Sequence, residues 1–275
     1  MAELSLCPLT IIRAPHRELV VAAAAGGFAS VGLRLIAPRP GDPVHPLVGD
    51  ATAIKDLGRL MKDSGVTLFD IESCWLSPAT DPAAIRPALE ACSALGGSYL
   101  LVAGTDPEWH RMVANFAAIA DLAAEYGLKI GIEPTSFCAL RRLDQACELL
   151  AQAGAGNAGI IIDTLHMVRA GETAASLAAL DPGLVAYVQI CDARQASPGS
   201  PAELMAEARG DRLLPGEGAL PLNAMLDALP AGLRIGVEAP TRELAALSVD
   251  DAARRAGAAT RAFLADRGRQ GSAGA

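Results

Sequence analysis

Four residues of this chain, from position 133 onward, each follow a short, mostly apolar run with a group that can bind a cation or move a proton. Glu133 follows "KIGI", Asp163 follows "GIII", Gln189 follows "VAYV" and Glu238 follows "RIGV". One Asp or Glu in such a place is commonly no more than a turn cap. The same placement after four successive runs means more, because adjacent parallel strands would bring three carboxylates and an amide to one end of a sheet. Carboxylates held together repel unless they keep protons or a cation neutralises them. Carboxylate and amide oxygens suit a hard divalent cation such as Mg or Mn. His166 lies three residues after Asp163 and adds a group able to shuttle a proton.

The elements that must position these groups follow a regular order. Eight β-rich runs are expected as strands: 4–10, 30–37, 67–76, 98–105, 129–136, 158–164, 184–193 and 233–241. Between them lie Ala- and Leu-rich stretches with helical spacing, among them 109–126, 143–153 and 250–265. Several end in glycine just before the next strand, which suits a left-handed helix stop and a short loop. Most strand starts fall about 25 to 37 residues apart, the length of one βα unit. Eight such units predict a single-domain α/β chain, a (β/α)8 TIM barrel over 1–266, with 267–275 as a flexible C-terminal tail. A doubly wound open sheet is the rival, but no GxGxxG follows the first strand. Two long, Pro- and Gly-rich stretches, 38–50 and 193–218, are expected to lie over the barrel mouth, where barrel active sites sit.

Composition narrows the function classes. The formal charge is -8 and the lysines are Lys55, Lys62 and Lys129, a balance that argues against a nucleic-acid partner. Six scattered cysteines with no CxxC suit reduced thiols and a cytoplasmic location. The stretch 13–30 imitates a signal peptide, but its acid at Glu18 and its Gly26-Gly27 break fit a helix better. No apolar run approaches the ~20 residues of a membrane span, so no membrane partner is expected.

The fragments "GIEP", "IIDTLH", "VQICDA", "LLPGEG" and "GVEAP", in this order and over nearly the whole chain, resemble the xylose isomerase-like superfamily. That group includes sugar phosphate isomerases and epimerases, inosose-processing enzymes and ketose 3-epimerases. The resemblance implies one divalent metal, Mn or Mg first and Co or Zn next, on Glu133, Asp163, Gln189 and Glu238. It also implies that Glu133 and Glu238 form an acid/base pair, that His166 and Arg212 contact substrate, and that the protein forms dimers or tetramers. The third ligand is usually histidine in the epimerases; here it is Gln189, a weaker and harder donor. Glu72 and Trp75 at the end of the third strand, Arg194 on the long loop and His45 on the second loop are further candidates for holding a small-molecule substrate. Asp192 is expected to support Gln189.

The chemistry expected is isomerisation or epimerisation of a small hydroxy-carbonyl compound. A metal polarises the carbonyl and a carboxylate removes the neighbouring proton. Loss of a β-leaving group from the same intermediate makes an inosose- or dehydroshikimate-type dehydratase the alternative. An apurinic endonuclease on this barrel would need a histidine-rich zinc cluster, and the chain has four histidines in all. A Schiff-base aldolase would need a lysine at a strand's C-terminal end, and Lys129 opens its strand instead.

Overall fold

A computed structural model describes residues 3–39 and 41–273. Eight parallel strands close into a barrel in sequence order. They are β1 (Leu4–Leu6), β2 (Ser30–Arg34), β3 (Thr67–Leu76), β4 (Tyr99–Gly104), β5 (Lys129–Glu133), β6 (Ala158–Asp163), β7 (Val185–Ile190) and β8 (Ile235–Val237). β8 pairs with β1, so no sheet edge remains. This is the (β/α)8 barrel expected from the repeating grammar.

β3 has the expected bounds, whereas the other seven strands stop short at their C-terminal ends. β2 ends at Arg34 rather than 37 and β8 at Val237 rather than 241. The residues beyond carry β-like composition but leave the ladder to form the mouth. β1 stops before Pro8, which has no N–H for a ladder and opens the 3-10 turn Pro8–Ile11.

The main core is the apolar layer between the strands and the surrounding helices. Inside the barrel, Phe69, Leu101, Ile161 and Tyr187 form a second cluster. The Tyr187 ring stands edge-on to Phe69 and Tyr99, with centroids 4.8 and 5.3 Å away. This plug fills the barrel beneath the mouth, as side-chain layers do in the fold generally. Close packing near the mouth also requires Gly236, because a Cβ there would lie 2.7 Å from Cys7 Sγ.

The stretch that imitates a leader is the helix His16–Ala25, packed against the final helix. Two expectations need correction. The polar stretch after β7 is not all loop: Ser200 caps a helix over Pro201–Gly210, its side chain accepting from the Glu203 amide. The last helix, Val249–Ala273, runs through 267–273, where a flexible tail was expected. Residues 274–275 lie outside the described residues. No helix among the described residues is long and apolar enough to cross a membrane. All six cysteines are free thiols, five of them buried.

Candidate functional site

The barrel brings the four expected residues to one mouth. Glu133 and Asp163 are the last residues of β5 and β6, Gln189 is next to last in β7, and Glu238 follows β8 directly. Register places Asp163 beside Gln189, and Gln189 beside Gly236. All four side chains are buried.

Arg212 joins two of them. It is 1% exposed and splits its fork: Nη1 donates to Asp163 Oδ2 at 2.6 Å and Nη2 to Glu238 Oε2 at 2.7 Å. Its Nε donates to the Ala208 carbonyl at 2.8 Å, at the end of the helix Pro201–Gly210. The expected role for Arg212 was substrate contact; its observed partners are the two acids. A buried guanidinium with two carboxylates satisfies both its charge and its geometry.

The remaining contacts are specific. Thr135 Oγ1 donates to Glu133 Oε2 at 3.0 Å, whereas Glu133 Oε1 is buried with no partner. Gln189 Nε2 donates to Glu72 at 3.2 Å and to Glu238 at 3.3 Å, and Gln189 Oε1 is also buried without a partner. Asp163 caps the short helix Thr164–Arg169 by accepting from the His166 amide at 2.9 Å. That cap swings the His166 ring into the mouth, where Nδ1 lies 3.1 Å from Ser136 Oγ. Ligating atoms of Glu133, Asp163 and His166 lie within 4.8 Å of one another, as do those of Cys7, Glu72 and Glu238.

Burial sets the protonation of these groups. It pushes Glu133 and Glu72 well above the usual carboxylate range, and in both cases the neighbouring Glu238 adds to the rise. Burial also raises Glu238, to about 7, although Arg212 opposes it. Burial would raise Asp163 too, but the Arg212 charge and His166 outweigh it and hold this carboxyl low. His166 is driven down to about 4 by burial and by Arg212, against the pull of Asp163, so its ring is neutral near pH 7. Below the mouth, burial raises Asp70 to about 6 even though Tyr187 donates to it at 2.7 Å.

The donor set fits a hard divalent cation. Buried polar atoms are almost always paired, and here two dry oxygens, Glu133 Oε1 and Gln189 Oε1, are not. The carboxyls of Glu72, Glu133, Asp163 and Glu238 share the region with the guanidiniums of Arg34 and Arg212, an excess of acid that a cation offsets.

Other expected residues divide. Glu72 and Trp75 line the cleft above the four residues, together with Glu133, His166 and Arg212. Arg39 stacks over the Trp75 ring at 5.9 Å. His45 does not line that cleft: its carbonyl accepts from His16 Nε2 and its ring stands edge-on to His16. Arg194 is exposed and paired with Asp211 at 2.9 Å, and it does not line the cleft. Asp192 does not support Gln189. It accepts from the amides of Ala193, Leu220 and Gly216, so it organises the long loop.

The two long stretches meet as lids. Asp42 on the second loop pairs with Arg209 of the helix Pro201–Gly210 at 3.0 Å. Arg169 clamps that helix through Glu207 at 2.7 Å. Sequence reasoning missed Arg34, Cys7, Ser136 and Phe137. The signal for Arg34 was a charge inside the apolar run "VGLRLIA"; the other three belong to no motif or spacing that marks a site.

The model of the family described as xylose isomerase-like TIM barrel matches residues 20–264. The inosose isomerase of Bacillus subtilis (strain 168) is 26% identical over 151 residues, covering 51% of this chain and 52% of that protein. The match thus spans about half the length of that relative. Among solved structures, the IOLI protein with a binding zinc atom superposes with a TM-score of 0.79 at 20% identity, covering 97% of this chain and 99% of the other. The probable 3-DHS dehydratase AsbF from Bacillus anthracis gives 0.70 at 13% identity, covering 94% and 98%. D-allulose 3-epimerase from Methylomonas sp., in complex with D-allulose, gives 0.69 at 20% identity, covering 97% of each chain. With a closed eight-stranded barrel and a family match over most of its length, the chain belongs to the xylose isomerase-like TIM barrel family.

Proposed function

We propose that the protein is a divalent-metal-dependent isomerase or epimerase of a small hydroxy-carbonyl compound. The observation that carries this reading is the pair of unpartnered buried oxygens, on Glu133 and Gln189, in a mouth shared with Asp163 and Glu238. Those four residues would hold the cation, Mn or Mg by the hardness of an all-oxygen set. When bound, it would supply Lewis acidity that polarises a carbonyl and acidifies the neighbouring C–H.

The chain's own residues then divide the work. Glu133 has one oxygen fixed by Thr135 and the other free; ionised beside a bound cation, it would take a proton from carbon. Glu238, whose carboxyl titrates near neutrality, returns or accepts one. Neutral His166, held by Ser136, orients a substrate hydroxyl. Arg212 fixes Asp163 and Glu238, and the paired lids keep water from the mouth.

A second reading is a dehydratase on the same site. It is favoured by Glu72, a third buried acid beside Gln189 that stays protonated well above the usual range. A protonated carboxyl there can give its proton to a departing hydroxyl. The relatives and neighbours named above include an inosose isomerase, an epimerase and a probable dehydratase, consistent with both outcomes.

Metal content and thermal melts test the cation site. An acid raised by the fold stays protonated where the unfolded chain has ionised, so folding loses stability as pH climbs from the ordinary value to the raised one. For Asp70 and Glu238 those raised values are about 6 and about 7. Chelator-treated protein should therefore melt highest near about pH 4 and lose several degrees by about pH 7. Added Mn should raise Tm more at the higher pH, because it binds the ionised acids. Purified protein without metal, and with melts unmoved by Mn, Mg, Co or Zn, would overturn the reading.

A further inference from the structure

Arg34 is the last residue of β2 and stands beside Glu72 of β3 in the ladder. It is 7% exposed and lines the same cleft as Trp75, Glu133 and His166. Its Nε and Nη1 are buried without any hydrogen-bond partner. Glu72 and Glu238 feel its charge, yet among the described residues neither is hydrogen-bonded to it or ion-paired with it. Every other buried guanidinium near the mouth is satisfied: Arg212 by Asp163 and Glu238, Arg169 by Glu207. A buried, unpaired guanidinium is costly, and an anion brought by a ligand would relieve that cost.

We infer that Arg34 is the receptor for a carboxylate on the substrate, so that the compound turned over is a hydroxy-carbonyl acid and not a neutral sugar. A planar carboxylate matches the donor fork of one guanidinium. A phosphate ester carries about two negative charges and usually gathers several donors. Here it would meet a single free guanidinium among four acids, Glu72, Glu133, Asp163 and Glu238. Arg209 also lines the cleft but is already paired with Asp42. Trp75 and Phe137, with ring centroids 6.1 Å apart, give the carbon skeleton an apolar wall across the same cleft.

This assignment rests on the proposed hydroxy-carbonyl site only for the rest of the substrate. Three compounds sharing a hydroxymethyl ketone isolate the anion: 3-hydroxypyruvate, dihydroxyacetone and dihydroxyacetone phosphate. Binding is measured by calorimetry on Mn-treated protein, for wild type, Arg34→Gln and Arg34→Met. Wild type should bind 3-hydroxypyruvate about tenfold or more tighter than dihydroxyacetone, the weight of one charge-assisted hydrogen bond. Both variants should lose that preference, read as the ratio of the two affinities within each variant. The apolar methionine keeps the assay readable if glutamine disturbs folding.

Equal binding of the three compounds to wild type, or a preference that survives both substitutions, would overturn the assignment. An Arg34-dependent preference for the phosphate ester would overturn it in favour of phosphate. An Arg34-dependent carboxylate preference in a protein that holds no metal, and whose melts no divalent cation moves, would leave this assignment standing while the metal-dependent reading falls. The two failures are therefore distinguishable.

Discussion

Replacing Arg212 with methionine is expected to destabilise the protein by about 3–5 kcal/mol, because it strands two buried carboxylates that the guanidinium now joins. For a chain of this size that corresponds to a fall in Tm of about 10 °C. Turnover should fall as well, by ~10² or more, since the loss of about 3 kcal/mol of positioning reaches that factor. Arg212→Lys should recover part of the stability but little of the activity. An ammonium keeps the charge, but it cannot span Asp163 and Glu238 while also reaching the Ala208 carbonyl. Excess Mn should narrow the stability gap of the methionine variant by supplying the lost positive charge. A methionine variant that melts with wild type would show that the two acids are protonated in the fold and that Arg212 is not their counter-charge.

The second large effect concerns Glu133. Glu133→Gln keeps the size of the side chain and leaves an oxygen to accept from Thr135. It removes the free carboxylate oxygen that is buried without a partner. Proton abstraction should drop by about 10³-fold, the weight of a positioned general base. In chelator-treated protein the same change should raise Tm slightly at neutral pH, because an unpaired buried acid has gone. The combination of lost chemistry and gained metal-free stability is what a functional acid shows and a structural one does not. Glu238→Gln should lose activity equally, yet lose stability too, because its carboxylate is half of the Arg212 bridge. Proton exchange within about twofold of wild type in Glu133→Gln would exclude it as the base.

How far the site was legible follows from what each residue signals. Glu133, Asp163, Gln189 and Glu238 stood out because each follows an apolar run, and in a parallel barrel all such runs end at one mouth. The strand ends themselves were overestimated, since the mouth residues after β2 and β8 have β-like composition without ladder partners. Arg212 was singled out as a residue, but its role was not visible: only the fold shows that its loop returns over Asp163 and Glu238. Asp192 looked like a supporting group because it follows Gln189 by three residues. Its carboxylate instead collects amides of the loop that follows β7. His45 and Arg194 were placed by loop membership alone, and a loop carries side chains in every direction. Arg34 was passed over because a single charge in an apolar run reads as a strand end. Its unpartnered nitrogens exist only in three dimensions.

The central claim is metal-dependent proton transfer at carbon by Glu133 and Glu238. Its most direct test is solvent deuterium exchange into the carbon next to the carbonyl, over a panel of keto-sugars, inososes and hydroxy-keto acids. Chelator-treated protein is assayed with and without Mn or Mg. The account predicts exchange into at least one compound that stops on chelation, returns with the cation and is absent in Glu133→Gln. Exchange that persists without any divalent cation, or turnover of a compound with no deuterium incorporated and no water released, would contradict it.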